Sequence, residues 1–125
     1  MVQGRVESLG GLFADRFGMT VLAVRIGASF PQPPGRHGLE TWLSPDDCAR
    51  LVDACLAADV TGFHLLWGSS RNRRRWLSLA EGRRIGYEPR DDAEAYSGVA
   101  DSPTSPTDGL LGSYFCTQPL GTPGP

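Results

Sequence analysis

Residues 21–47 read VLAVRIGASFPQPPGRHGLETWLSPDD, and the fold is decided in this stretch. Its first six residues, Val21-Leu22-Ala23-Val24-Arg25-Ile26, are apolar at five positions. Such a run suits a strand buried on both faces, as in a parallel sheet, better than an alternating half-exposed strand. Gly27 closes the run, and Pro31, Pro33, Pro34 and Gly35 predict an open, irregular loop. Ser44-Pro45-Asp46-Asp47 then starts a helix, with a serine N-cap, proline at the first helical position and two acids at the positive end of the dipole. Strand, long polar loop, capped helix is the order in which an α/β protein places a ligand, just past the carboxyl end of a strand.

Downstream, Cys48, Leu51, Val52, Cys55 and Leu56 follow i, i+3, i+4, i+7, i+8, which predicts a helix from Pro45 to about Ala58. Asp59-Val60-Thr61-Gly62 breaks it, and Phe63-His64-Leu65-Leu66-Trp67 predicts a second strand. A helix between two strands fits a right-handed crossover joining parallel neighbours. Upstream, Val6, Leu9, Leu12, Phe13 and Phe17 form a helical stripe closed by Gly18. Gly10 and Gly11 inside it each cost about 1 kcal/mol against alanine, so the pair predicts close packing on another backbone.

Gly68-Ser69-Ser70 reads as a turn, Arg75–Ala80 as a short helix, and Asp91–Tyr96 as one or two helical turns. Residues 1–99 therefore form the α/β part. From residue 100 the composition shifts to proline, glycine, serine and threonine, which predicts an extended tail with one apolar island, Leu110-Leu111 and Tyr114-Phe115.

Composition narrows the function classes. A chain of 125 residues suffices for one small domain. A net charge of −2 gives no overall attraction to nucleic acid or an anionic membrane. All twelve basic residues are arginine, so no lysine can serve as a base, a Schiff-base former or a P-loop residue. Cys48 and Cys55 stand about 10 Å apart along their helix, too far for a disulfide. With Cys116 they read as reduced thiols of a cytoplasmic protein. No apolar run approaches a membrane span.

Little in the residues alone carries chemistry. Neither His37 nor His64 has a partner at metal-ligand spacing. His64, in an apolar strand, reads as a hydrogen-bonded core residue, while His37 stands in the ligand-facing loop. Asp46 and Asp47 read as helix-capping acids. Arg71-Asn72-Arg73-Arg74-Arg75 beside Trp76 invites a nucleic-acid reading, but the acidic chain and nearby Glu81 and Glu88 favour a solvated face.

Several blocks taken in order carry a resemblance. They are Glu7 to Gly18, Val24-Arg25-Ile26-Gly27, Thr41-Trp42-Leu43-Ser44-Pro45-Asp46-Asp47, Leu66 to Asn72, Gly86-Tyr87-Glu88-Pro89 and Asp91 to Tyr96. Together they resemble the second half of the extended short-chain dehydrogenases, the NAD-dependent epimerase/dehydratase family, and within it the uronate dehydrogenase branch. The resemblance implies the carboxyl-terminal portion of a Rossmann-like fold: a parallel strand pair with helices, ending in an irregular tail. It also implies NAD as cofactor and oxidation of a hexuronic acid at C1 to an aldarolactone. The backbone at Ile26, Gly27 and Ala28 matches the segment lying against the nicotinamide. Ser29, Arg36 and His37 match the substrate side, with Arg36 expected to pair with the sugar carboxylate. The family's Tyr-x-x-x-Lys base cannot be drawn in a chain without lysine, and its glycine-rich dinucleotide loop does not appear. The chain alone is therefore expected not to catalyse, and to self-associate or pair with a missing amino-terminal half. The rival reading is a non-enzymatic module that pairs through its helices and an exposed strand edge.

Overall fold

The computed structural model describes residues 2–98, with side chains from residue 4. Along the chain run α1 (Val2–Phe17), β1 (Val21–Ile26), β2 (Ala28–Ser29), α2 (Gly35–Thr41), β3 (Trp42–Leu43), α3 (Pro45–Ala57), β4 (Phe63–Gly68), α4 (Ala80–Arg84) and a 3₁₀ turn (Ala93–Tyr96). β1 and β4 pair in parallel, from Val21 opposite Phe63 to Ile26 opposite Gly68. The connection between them contains α3, the crossover that the spacing of the two apolar runs predicts.

Alternation along the strands gives the pair two faces. Val21, Ala23 and Arg25 join Phe63, Leu65 and Trp67 on one; Leu22, Val24 and Ile26 join His64, Leu66 and Gly68 on the other. The second face carries the core. Leu43, Leu51, Leu66, Leu79 and Tyr87 are buried together there, with Leu22, Val24 and the α3 residues Cys48, Ala54 and Cys55 packed around them. The Ser44 side chain caps α3 by accepting from the Asp47 backbone N–H at 2.9 Å. Val52 and Leu56 are exposed, so the buried stripe of α3 is narrower than its apolar pattern.

The first face is covered only in part. α1 meets the sheet along Glu7, Gly10 and Ala14, residues spaced for one side of a helix. A Cβ on Gly10 would lie 2.9 Å from Val21 Cγ1, so the close approach is to side chains rather than to another backbone. Glu7 accepts two hydrogen bonds from Arg25, at 2.8 and 3.0 Å, and the same guanidinium stands 5.3 Å from the Trp67 ring centre. Val6, Leu9, Leu12, Phe13 and Phe17 remain exposed, and Ala14 is the buried apolar residue of the helix. β1 is consequently half-buried from Val21 to Arg25 and exposed at Ile26, not buried on both faces, because the helix touches the sheet at the margin of its own apolar stripe.

Three local expectations change. The loop after Gly27 is not irregular throughout: it contains β2, α2 and β3. The helix expected at Arg75–Ala80 begins at Ala80. Leu77 and Leu79 are both buried with exposed Ser78 between them, an extended alternation that excludes a helix there. Gly68-Ser69-Ser70 is not a turn: Gly68 ends β4, and all three residues are buried. His64 hydrogen-bonds the Thr61 carbonyl oxygen at 2.8 Å and is half-buried. Cys48 and Cys55 are free thiols. Cys116 and the tail from residue 100 lie outside the described residues.

Candidate functional site

The chain leaves the sheet at Ile26, which is exposed at the carboxyl end of β1. Gly27 donates its N–H to the Gly68 carbonyl at 3.3 Å. A Cβ on Gly27 would sit 2.2 Å from the Thr41 carbonyl oxygen, so only glycine lets α2 approach this closely. Beyond it β2 pairs in parallel with β3, Ala28 opposite Trp42 and Ser29 opposite Leu43. Gly38 lets α2 pack on Pro33 and Pro34, where a Cβ would come within 2.6 Å of the Pro34 ring. The Trp42 indole donates to the Phe30 carbonyl at 2.8 Å and meets Tyr96 edge-on, which ties the intervening loop to the 3₁₀ turn.

These contacts sort the residues expected in the site. Gly27 packs on the Thr41 backbone, and the Thr41 hydroxyl donates to the His37 carbonyl, one turn earlier in α2, at 3.2 Å. The His37 ring is buried, and its Nδ1 has no hydrogen-bond partner among the described residues. Arg36, one position earlier in α2, is exposed and makes no ion pair among the described residues. Ala28 is buried and Ser29, on the opposite side of β2, is exposed. Ser29 lines an open groove of about 550 Å³ with Phe30, Pro31, Pro45, Cys48 and Val52, which neither Arg36 nor His37 reaches.

A buried polar network behind this surface escaped the sequence reading. Asp47 is fully buried and accepts the backbone N–H groups of Arg90 and Asp91 at 2.8 and 3.0 Å, besides an ion pair with Arg50. Burial alone would raise the Asp47 pKa; the bonds from Ser70, Arg90, Asp91 and Arg50 outweigh it and hold the carboxyl below its ordinary value. Asn72 donates to the Trp42 carbonyl at 2.8 Å and accepts from the Ala93 N–H at 3.0 Å, clamping β3 to the 3₁₀ turn. The Tyr87 hydroxyl donates to the Ser69 carbonyl at 2.7 Å, and burial, with Asp47 nearby, pushes the phenol pKa well up. The one available signal was Asp47 itself, read as a cap when it is also the anchor for residues 90–91.

The arginine run is less free than its sequence suggests. Arg73 pairs with Asp92, and Arg74 makes a two-pronged pair with Glu94. The Trp76 indole donates to Glu40 at 3.1 Å. Among the described residues no His, Cys, Asp and Glu cluster could hold a metal ion, and no helix is long and apolar enough to cross a membrane.

The fit of Ile26, Gly27 and Ala28 to a nicotinamide cofactor is partial. Ile26 presents apolar surface for one side of a flat ring, but the Gly27 N–H is spent on Gly68 and Ala28 is buried. The missing side chain of Gly27 is accounted for by Thr41, not by a ligand. The segment can wall a nicotinamide site but offers no charged group for a pyrophosphate.

Known uronate dehydrogenases are similar to this chain. Uronate dehydrogenase from Agrobacterium fabrum is 35% identical over 120 residues, covering 91% of this chain and 45% of the relative. Uronate dehydrogenase from Pseudomonas syringae pv. tomato is 32% identical over 102 residues, covering 82% and 37%. The chain is a relative of the uronate dehydrogenases. A solved uronate dehydrogenase from Agrobacterium tumefaciens, complexed with NAD, superposes on 91% of this chain and 45% of its own, with a TM-score of 0.80 and 33% identity. No family model matches the chain. The chain spans less than half the length of these uronate dehydrogenases, as the resemblance to one part of the family implies. The α/β architecture and the parallel strand pair agree with the solved enzyme. The similarity to the Agrobacterium fabrum enzyme covers more of the chain than residues 2–98 supply, so it runs on into the segment beyond them.

Proposed function

We propose that this chain supplies the substrate side of an NAD-dependent oxidation of a hexuronic acid at C1, giving an aldarolactone. The observation that carries the reading is the packing of α2 against the end of β1 through Gly27 and Thr41. It holds α2, which carries Arg36 and His37, against the exposed carboxyl end of a parallel strand, and the His37 Nδ1 is buried without a hydrogen-bond partner among the described residues. An unsatisfied buried polar atom costs about 1–3 kcal/mol, a cost more readily retained for a ligand than for packing. Arg36, free of ion pairs among the described residues, contributes the guanidinium that suits a carboxylate. Ser29 opens on a separate groove that neither residue lines, so this reading assigns the sugar contacts to Arg36 and His37. NAD, when bound, would supply the hydride acceptor for C1, while the residues of this chain bind and orient the sugar.

The chain alone is not expected to reduce NAD, because it has no lysine for the family's base pair. The test is a chimera in which this chain replaces the matching part of the Agrobacterium fabrum enzyme. Arg36→Ala and His37→Ala should each lower kcat/KM for glucuronate and galacturonate more than for a neutral aldose. Equal losses on acid and neutral sugars would overturn the assignment.

A second reading is favoured by one observation, the exposed apolar stripe of α1. On this reading the chain is a non-enzymatic module that pairs through that helix with a second copy or with a separate amino-terminal half. Concentration-dependent mass by light scattering, abolished by Leu9→Ser with Phe13→Ser, supports the pairing, and a chimera without sugar-acid oxidation would favour this reading over the first; a monomer at all concentrations removes it.

A further inference from the structure

The groove that holds Ser29 is walled mostly by apolar residues, with Asp53 the one charged residue in its lining, and two of the apolar ones, Phe30 and Val52, are about half exposed. It continues into a second groove of about 490 Å³, with Pro31 and Pro45 lining both. Ala95 and Tyr96 line the second groove together with the charged Asp46, Arg90, Asp91 and Asp92, so the joined surface leads from close to the last described residues, past these charges, to the apolar groove beside α3. Beyond Gly98 the sequence carries one uncharged apolar island, Gly109-Leu110-Leu111-Gly112-Ser113-Tyr114-Phe115. The chain from Gly98 to Leu110 reaches up to about 40 Å when extended, twice the roughly 20 Å length of α3.

We propose that the Leu110–Phe115 segment of the same chain occupies the groove between Phe30 and α3. Its apolar side chains match the mostly apolar first groove, the tether is long enough to pass the charged second one, and the path begins near the last described residues. Burying Phe30 and Val52 removes exposed apolar surface that the rest of the chain leaves uncovered. The placement also covers Ser29, which leaves the sugar contacts to Arg36 and His37. It does not rest on the dehydrogenase reading.

The native cysteines provide the probe: Cys48 lines the groove and Cys116 follows Phe115 directly. In the 125-residue chain carrying Cys55→Ser, a short bismaleimide should join Cys48 to Cys116 within one molecule. A control with Cys48→Ser and Asp15→Cys, on exposed α1, measures linking by the tether alone. The Cys48 link should form at least about tenfold faster than the control, and Leu111→Ser with Phe115→Ser should bring it down to the control rate. Truncation after Gly98 should raise maleimide labelling of Cys48 several-fold. Equal rates at both positions, or unchanged Cys48 labelling on truncation, would show that the segment does not occupy the groove. Links formed only between molecules would assign the groove to a second copy and overturn the proposal.

Discussion

The two faces of the β1–β4 pair are built to different standards. On the α3 face, Leu51 and Leu66 are buried, a tyrosine hydroxyl is bonded inside the core, and a buried carboxylate fastens residues 90–91. On the α1 face one ion pair and two small residues hold a helix whose larger apolar side chains face outward. A helix can therefore carry a convincing apolar stripe and still meet its sheet along that stripe's edge. The stripe tells that apolar surface needs cover; it does not tell whether these residues provide it.

Substitutions can break this contrast from either side. The largest effect is expected from Asp47→Ala, which leaves the Arg90 and Asp91 N–H groups without their acceptor. A loss of about 4 kcal/mol is expected in urea unfolding, from more than one buried donor at about 1–3 kcal/mol each. The pH dependence follows from the lowered folded-state pKa of Asp47. Its stabilisation is complete above the ordinary aspartate value of about 3.9 and disappears as pH falls through the lower folded-state value. Asp47→Asn should flatten that acid limb. An unchanged acid limb would remove Asp47 from its role as anchor.

Leu66→Ala should cost about 3 kcal/mol by loss of burial and creation of a cavity, while Leu9→Ala on α1 should leave stability nearly unchanged. Thermal unfolding of the two variants measures the contrast directly, and similar losses would erase it. Tyr87→Phe should be milder, at about 1 kcal/mol, since the ring still packs on Gly82 and only the bond to the Ser69 carbonyl is lost. A neutral result there would mean that this carbonyl finds another donor.

The legible and illegible parts of the sequence divide along the same line. Local chemistry was readable: Ser44 caps α3, Gly18 has a φ of +65° after α1, and the two apolar runs pair in parallel. Contacts between distant segments were not. Nothing in Asp47 announces that it receives Arg90 and Asp91, and nothing in Asn72 announces that it joins Trp42 to Ala93. Leu77 and Leu79 were misread because a short apolar run fits a helix or an extended segment equally well until its neighbours are known. At the candidate site, the strand-to-loop position was legible from Gly27 onward. The division that buries His37, exposes Arg36 and turns Ser29 into a separate groove depends on α2, which the prolines and glycines of the loop concealed.

Amide hydrogen exchange on the dilute, monomeric chain tests the two-faced account most directly. Amides of β4, of α3 around Leu51 and of Tyr87 should exchange only by global unfolding, while those of α1 exchange through smaller, local openings. Protection across α1 equal to that of α3 in the monomer would contradict the account.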